Sequence, residues 1–203
     1  MKVKTFSFSL GKYRFATDLD GCLTTGVNEQ FLDKVNKLKG TKLSLDNLDQ
    51  YYVENIVDIS EDEKDRILHE LDYANVGVMP YAREALRRIS EMYDIDIVTA
   101  RNLEDSKVCR QTIDWLVNNS IPCSRLIFTK NKIKIARMLK YKYFVEDYGE
   151  MAMRLAQDGI VTYLIDYRHN KNAEHDNIIR VGRVDRELAW LEIYADFENR
   201  ELK

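Results

Sequence analysis

The sequence predicts an α/β protein in which a doubly wound parallel sheet carries a small helical insertion. Two observations predict the sheet: short β-branched runs alternate with amphipathic stretches from residue 81 onward, and another strand pattern precedes Asp18. The insertion is predicted by the loss of that rhythm between residues 27 and 79. With 8 glycines and 2 prolines in 203 residues, flexible linkers and low-complexity tails are not expected.

Each element of the core follows from its own pattern. Residues 12–17 predict the first strand, and Pro80 opens a helical pattern, since a first helical turn tolerates proline. Later strands are predicted at 95–99, 126–128, 143–145 and 160–165, and helices at 105–118, 132–139 and 150–157. Because these elements alternate, helices should cover both faces of a parallel sheet. Ligands are then expected beyond the carboxyl ends of the strands.

The insertion is expected to be helical. Four apolar residues at helical spacing predict its first helix: Leu48, Tyr52, Ile56 and Ile59. A capping box over residues 60–63 predicts the start of a second helix, whose apolar positions are Ile67, Leu68 and Leu71.

Composition narrows the classes of function. Lys and Arg number 31 and Asp and Glu 34, so the net charge is −3, which disfavours a nucleic-acid-binding face. The three cysteines, Cys22, Cys109 and Cys123, lack the spacing of a disulfide framework or a zinc ribbon. The sequence holds neither an 18-residue apolar run nor a signal-type leader. We therefore expect a cytoplasmic protein without a membrane span.

Two pairs of acids stand where predicted strands end. Asp18 and Asp20 are followed by Gly21, which permits a sharp turn, and alternation would point both carboxylates the same way in a continuing strand. Glu146 and Asp147 end another apolar strand, where adjacent acids are unfavourable unless they are solvated or bind a cation. Oxygen-only ligands of this kind favour Mg²⁺. A charged strand-to-loop turn is the alternative for either pair.

Two further groups are suited to binding an anion. Thr99 can offer its hydroxyl and a backbone N–H to an anion, and Ala100 follows it. Arg101 is either part of the same anion-binding motif or a surface charge. Lys132 stands at the start of a predicted helix, where the helix dipole disfavours a cation unless an anion lies nearby. A solvated cluster with its two neighbouring lysines is the alternative.

Taken in order, these groups resemble the four motifs of the haloacid dehalogenase superfamily of phosphohydrolases. Residues 18–21 are similar to the first motif, Thr99 to the second, Lys132 to the third and residues 146–147 to the fourth. The chain departs from the family at Cys22, where threonine or valine is usual. Cys22 is expected to pack as a small hydrophobe without a catalytic role.

The resemblance implies a role for each residue. Asp18 is expected to be the nucleophile that forms an aspartyl-phosphate, and Asp20 the general acid and base. Mg²⁺ is expected between Asp18, the Asp20 carbonyl and Asp147, with Glu146 as the alternative ligand. The residues expected to hold the phosphoryl oxygens are Thr99, Ala100 and Lys132, with Arg101 as a weaker candidate.

The resemblance also identifies the insertion as a cap over the site. The catalytic core then comprises residues 1–26 and 80–203, and the cap comprises residues 27–79. A cap at this place supplies substrate selectivity and favours a small-molecule substrate.

The tail resembles the 5'(3')-deoxyribonucleotidase-like branch of the superfamily. An Asp–aromatic–Asn loop begins at Asp166, an Arg-Val pair follows at residues 180–181, and a Trp-x-Glu helix begins near Trp190. The implied function is Mg²⁺-dependent hydrolysis of (deoxy)nucleoside monophosphates. The branch commonly has proline in this loop, whereas this chain has Arg168 and His169, which leaves the exact substrate open.

Other functions stay open from the sequence alone. A phosphatase of another small metabolite, such as a sugar phosphate, and a non-catalytic nucleotide- or protein-binding module fit the same fold. Phosphatase action on nucleic-acid ends is disfavoured because no basic stripe is evident, but the cluster of three lysines at Lys132 leaves it open. Tyr51, Tyr52 and Tyr73 are candidates for stacking on a nucleobase, although helical spacing favours a core position for Tyr52. His169 and His175 are expected to be loop residues without a metal role.

Overall fold

The computed structural model describes residues 13–202, and its centre is a six-stranded parallel sheet. The strands in this range are β1 (Tyr13–Thr17), β2 (Thr24–Thr25), β3 (Gly77–Val78), β4 (Tyr93–Thr99), β5 (Arg125–Phe128), β6 (Tyr143–Glu146), β7 (Val161–Ile165) and β8 (Ile178–Val181). Six of them pair in parallel in the order β5-β4-β1-β6-β7-β8. The predicted parallel sheet is confirmed; Lys12, placed in its first strand by the sequence, lies outside the described residues.

The helices in this range are α1 (Val27–Lys39), α2 (Glu61–Glu70), α3 (Ala82–Ile89), α4 (Ser106–Asn118), α5 (Lys132–Leu139), α6 (Gly149–Gln157) and α7 (Ala189–Glu201). Those outside the segment between β2 and β3 cover both faces of the sheet. Adjacent residues of β1 point to opposite faces. Phe15 contacts Phe197 of α7 at 6.0 Å between ring centroids, whereas Ala16 packs in a separate cluster with Ile133 of α5 and Leu155 of α6. The predicted doubly wound architecture is confirmed.

The chain changes direction across the sheet at β1. On one side Thr17 lies opposite Ile97 of β4, and on the other it lies opposite Val145 of β6. The loops that follow β1, β4 and β6 therefore meet at one edge, outside the carboxyl ends of the strands. This switch point is where ligands bind in open α/β sheets.

The helical segment between residues 26 and 77 leaves and re-enters the core through β2 and β3, which pair antiparallel with each other. Its first helix, α1, was not predicted from the sequence. Only three of its thirteen residues are buried, namely Val27, Leu32 and Val35, so its apolar stripe is narrow. The capping box before α2 is confirmed, because the Ser60 and Glu63 side chains each accept a hydrogen bond from the other residue's backbone amide.

The helix predicted through Leu48 and Ile59 is wrong. This stretch consists of turns and bends with one short 3-10 turn at Val53–Asn55. The Asn47 side chain accepts from the Ser44 amide at 2.8 Å and donates to the Lys42 carbonyl at 3.0 Å, and such local bonds compete with helix formation. Leu48 and Ile59 are still buried in the core, whereas Tyr52 and Ile56 are exposed.

Within residues 13–202, no helix has the length and apolar character needed to cross a membrane.

Candidate active site

Asp18 and Asp20 lie in the turn that follows β1, at the switch point of the sheet. The Asp18 amide donates to the Val145 carbonyl at 2.9 Å, which extends the β1–β6 pairing by one residue, and the Asp18 side chain is buried. Gly21 has a φ of +77°, and a Cβ at this position would lie 2.3 Å from Asp147 Oδ2. Glycine is therefore required both for the turn and for the close approach of the two acidic loops.

Lys132, the first residue of α5, contacts an acid in each of these loops. Its buried Nζ lies 2.8 Å from Asp18 Oδ1 and 2.8 Å from Glu146 Oε2. Burial alone lowers the pKa of Lys132, but the two carboxylates outweigh it and raise the pKa above its usual range. Burial raises the pKa of Asp18 to about 7, although Lys132 opposes this. The anion expected near this lysine is thus supplied by the protein's own carboxylates.

Glu146 and Asp147 have different environments. Glu146 Oε1 accepts from the amides of Asp147 and Tyr148 at 3.2 and 3.3 Å, and its other oxygen contacts Lys132. By contrast, Asp147 Oδ1 is buried and has no hydrogen-bond partner within the described range. Burial, followed by the neighbouring Glu146 and Asp18, raises the pKa of Asp147 above its usual range. A cation at Asp147 would relieve both the repulsion and the missing partner.

The atoms around Asp147 fit a divalent cation. One carboxylate oxygen each from Asp18 and Asp147 and the Sγ of Cys22 lie within 4.8 Å of one another, and all three residues are buried. Carboxylate oxygens are suitable ligands for Mg²⁺. Cys22 packs in the core as expected, but its closeness to the two carboxylates was not predicted from the sequence. Burial, with Asp147 and Asp18, raises the pKa of its thiol.

Asp20 is paired with Arg101 across 81 residues of sequence. Arg101 Nε and Nη2 donate to the two Asp20 oxygens at 2.8 and 2.6 Å, and Thr24 Oγ1 donates at 2.9 Å. The guanidinium also donates to Thr112 Oγ1 at 2.9 Å and lies 4.4 Å from the centre of the Tyr73 ring. The surface-charge interpretation of Arg101 is therefore wrong: the residue is 8% exposed and holds a candidate catalytic carboxylate.

Thr99 and Ala100 lie at the end of β4, the strand beside β1. Thr99 is buried, and its hydroxyl oxygen accepts from the Arg101 amide at 3.2 Å, while Ala100 is exposed. The structure therefore places this pair at the carboxyl ends of the strands, the same edge of the sheet as Asp18 and Asp20.

Aromatic rings form a cleft beside the acids. The Tyr51 ring stacks on Tyr148 at 4.0 Å between centroids and meets Tyr52 and His169 edge-on at 5.2 and 5.3 Å. Partial burial, then the Asp147 carboxylate, raises the pKa of Tyr51. Tyr148 and His169 belong to this cleft but were not predicted as part of an aromatic cluster.

A cavity of about 230 Å³ adjoins this cleft, and Tyr51, Tyr52, Tyr148 and His169 are among its lining residues. Tyr52 is 43% exposed, so its predicted core position is wrong. Tyr73 is buried against Arg101 and is not available for stacking on a ligand. A larger depression of about 430 Å³ lies along α4, and none of the candidate catalytic residues lines it.

The tail residues contact both acidic loops. The Tyr167 hydroxyl donates to the Gly21 carbonyl at 3.0 Å, and Trp190 Nε1 donates to the Cys22 carbonyl at 2.8 Å. Asn170 Nδ2 donates to the Asp147 carbonyl at 2.7 Å. The loops after β1 and β6 are thus fixed by hydrogen bonds from outside them.

The chain matches a known family over most of its length. The family model described as 5' nucleotidase, deoxy (pyrimidine), cytosolic type C protein matches residues 15–193. This range includes every residue of the candidate site.

Individual relatives are similar to the chain over comparable lengths. A nucleotidase of Clostridium acetobutylicum is 25% identical over 183 residues, covering 88% of this chain and 90% of that protein. A 5'(3')-deoxyribonucleotidase of the same organism is 27% identical over 127 residues, covering 61% and 68% respectively. The solved structure of a haloacid dehalogenase-like family hydrolase from Streptococcus pneumoniae has a TM-score of 0.63 at 14% identity, covering 92% of this chain and 98% of that one. The structural likeness shows a shared fold.

Proposed function

The chain belongs to the cytosolic type C family of 5' nucleotidases, and we propose that it is a Mg²⁺-dependent enzyme that hydrolyses (deoxy)nucleoside 5'-monophosphates through an aspartyl-phosphate. The family match makes it a phosphatase and confirms its resemblance to the haloacid dehalogenase superfamily. One observation carries the mechanism: the buried Asp18 carboxylate lies 2.8 Å from Lys132 Nζ and within 4.8 Å of Asp147, whose Oδ1 has no hydrogen-bond partner among residues 13–202.

In the first half of the reaction, an Asp18 oxygen attacks phosphorus and the bond to the ester oxygen breaks. The leaving oxygen takes a proton from Asp20, and the phosphoryl group remains on Asp18. In the second half, Asp20 takes a proton from the water that attacks phosphorus, which releases phosphate and restores Asp18. Arg101 orients Asp20 through its two hydrogen bonds.

The phosphoryl oxygens would be held by the Thr99 hydroxyl, the amide that follows it at Ala100, and Lys132. Lys132 also holds Asp18 in place, and Glu146 fixes Lys132 through its Oε2. Glu146 is therefore assigned a positioning role.

Asp18, the Asp20 carbonyl and Asp147 would hold Mg²⁺. When bound, the ion supplies positive charge that shields the carboxylates from the phosphate. The support lies in the buried Asp147 Oδ1, which has no partner in the part of the chain that the structure describes, and in the glycine that lets the two loops approach.

Substrate selectivity is assigned to the cap, residues 27–79, and to the aromatic cleft. Tyr51 from the cap and Tyr148 from the core stack on each other, so a nucleobase would stack on an outer face of this pair rather than between the rings. The family description, which names deoxy and pyrimidine, and the deoxyribonucleotidase relative support this substrate class. A cytoplasmic location belongs to the same proposal, supported by the family's description as cytosolic and by three free cysteines.

The test is phosphate release from a panel of deoxyribonucleoside 5'- and 3'-monophosphates, ribonucleotides and sugar phosphates, with Mg²⁺. The wild-type enzyme should prefer a nucleotide, and Asp18→Asn should abolish release while circular dichroism stays unchanged. Asp96→Asn is the matched control, because Asp96 is a buried aspartate paired with Arg125 outside the site. A preference for sugar phosphates would overturn the substrate class, and an active Asp18→Asn variant would overturn the nucleophile.

A further inference from the structure

Cys22 contributes a sulfur atom to the carboxylate site. Its Sγ and one oxygen each from Asp18 and Asp147 lie within 4.8 Å of one another. The Cys22 side chain is fully buried, so its sulfur is shielded from solvent. A second observation also points to a ligand here, because Asp147 Oδ1 is buried without a hydrogen-bond partner among the described residues.

The backbone fixes this sulfur in place. The turn closes through the hydrogen bond from the Leu23 amide to the Leu19 carbonyl at 2.8 Å. Trp190 Nε1 holds the Cys22 carbonyl, and the Tyr167 hydroxyl holds the preceding carbonyl. Any cation bound between the two carboxylates therefore meets a sulfur that loop motion cannot easily withdraw.

A ligand set of two carboxylates and one thiol prefers different metal ions from a set made only of oxygen atoms. Mg²⁺ selects oxygen, whereas Zn²⁺ and Cd²⁺ accept thiolate together with carboxylate. Because Zn–S bonds measure about 2.3 Å and Zn–O bonds about 2.0–2.2 Å, one ion can reach all three ligands after side-chain movements of about 1 Å.

We infer that Asp18, Cys22 and Asp147 form a binding site for a thiophilic divalent cation of the Zn²⁺ and Cd²⁺ class, which competes with Mg²⁺. On binding, the S–H bond of Cys22 breaks, a sulfur–metal bond forms and the proton passes to the buffer. Because Zn²⁺ and Mg²⁺ share the Asp18 and Asp147 carboxylates, bound Zn²⁺ excludes Mg²⁺, and the phosphate release that depends on Mg²⁺ falls. The inhibition rests on the proposed function, whereas the sulfur ligation does not.

Cobalt(II) is the probe, because a cysteine ligand gives it a sulfur-to-metal charge-transfer absorption. Metal-stripped full-length protein is titrated with Co²⁺ and its spectrum recorded. The band should appear in the wild-type protein, disappear with excess Mg²⁺, and be absent from Cys22→Ser and Cys22→Ala. It should persist in Cys109→Ser and Cys123→Ser, which alter the two other free cysteines. A band that survives in either Cys22 variant, or a wild-type protein that binds Co²⁺ without the band, would overturn the inference.

Inhibition is measured separately, with Zn²⁺ added to the Mg²⁺-loaded enzyme. The concentration of Zn²⁺ that halves phosphate release should rise roughly 10- to 100-fold in Cys22→Ser. An unchanged value would overturn competition through sulfur. If the wild-type enzyme releases no phosphate from any substrate, the proposed function fails, and the cobalt spectrum still decides the ligation.

Discussion

Lys132→Met removes the buried cation that separates two buried carboxylates. Each contact, at 2.8 Å from Nζ to oxygen, corresponds to an attraction of about 6 kcal/mol at an effective dielectric constant of about 20. The loss of hydration by all three ions opposes this attraction. Removing one partner of a buried ion pair typically costs about 3–5 kcal/mol, since the remaining charge stays buried and unpaired. We expect a loss in this range for Lys132→Met.

The assay is urea unfolding of metal-free protein, followed by circular dichroism. Lys34→Met is the matched control, because Lys34 lies 2.9 Å from Glu70 but both side chains are substantially exposed. Such a surface pair contributes about 1 kcal/mol or less. Adding Glu146→Gln to Lys132→Met should recover part of the loss, because one of the two unpaired carboxylates is then neutral.

Two results would refute this reasoning. The first is a loss in Lys132→Met no larger than in Lys34→Met, which would mean that burial does not strengthen the pair. The second is a double variant no more stable than Lys132→Met, which would mean that unpaired charge is not the cause of the loss.

Three further predictions concern the loops around the site. Gly21→Ala should weaken Mg²⁺ binding, measured by calorimetry, at least 10-fold, because the new Cβ would collide with the Asp147 carboxylate. Gly40→Ala is the control: its Cβ would meet nothing within 4 Å, so binding should be unchanged. Tyr167→Phe removes the hydrogen bond to the Gly21 carbonyl and should weaken Mg²⁺ binding about 10-fold. Tyr163→Phe, whose hydroxyl donates to Asp196 instead, should leave binding unchanged, and equal effects of the two substitutions would contradict the prediction. Burial and a nearby arginine lower the pKa of His169 to about 4, so its neutral form contributes stability above pH 6.5 that is lost as pH falls towards 4. Relative to His169→Gln, the wild-type unfolding free energy should fall by about 1 kcal/mol between pH 7 and 5, allowing for partial exposure; parallel pH curves would exclude this.

The strand ends were predictable because one physical rule applies to all of them. Parallel strands bring their carboxyl ends to one edge, so polar residues that follow separate apolar runs must lie near each other. The Lys132 contacts with Asp18 and Glu146 follow from this rule, although the three residues span 128 positions. The pattern of α5 was equally local, and its predicted bounds agree with the structure.

The contacts of Arg101 and Cys22 were not predictable, because they depend on the paths of loops. Arg101 follows a strand end in an exposed-looking sequence, and only the packing of Tyr73 and Thr112 around it shows that it is buried. Cys22 looked like a core residue and is one. Its closeness to Asp147 depends on how tightly the two loops approach, which the sequence does not specify. Helix α1 was missed for a different reason, since its narrow apolar stripe gives weak periodicity.

The tail residues, from Asp166 to Trp190, have two separate roles, at the acidic loops and at the aromatic cleft, although the sequence pattern treats them as one motif. Tyr167, Asn170 and Trp190 each donate a hydrogen bond to a backbone carbonyl of the acidic loops, so they position the loops in which the cation is proposed to bind. The departure from the branch's usual pattern, Arg168 and His169, falls between Tyr167 and Asn170, and His169 contacts the aromatic cleft. That ring stacks on Tyr167 at 5.3 Å and meets Tyr51 edge-on, so it faces the aromatic cleft. Substitutions at the three hydrogen-bonding residues should therefore change metal affinity, whereas a different residue at position 169 should change which leaving group the cleft accepts.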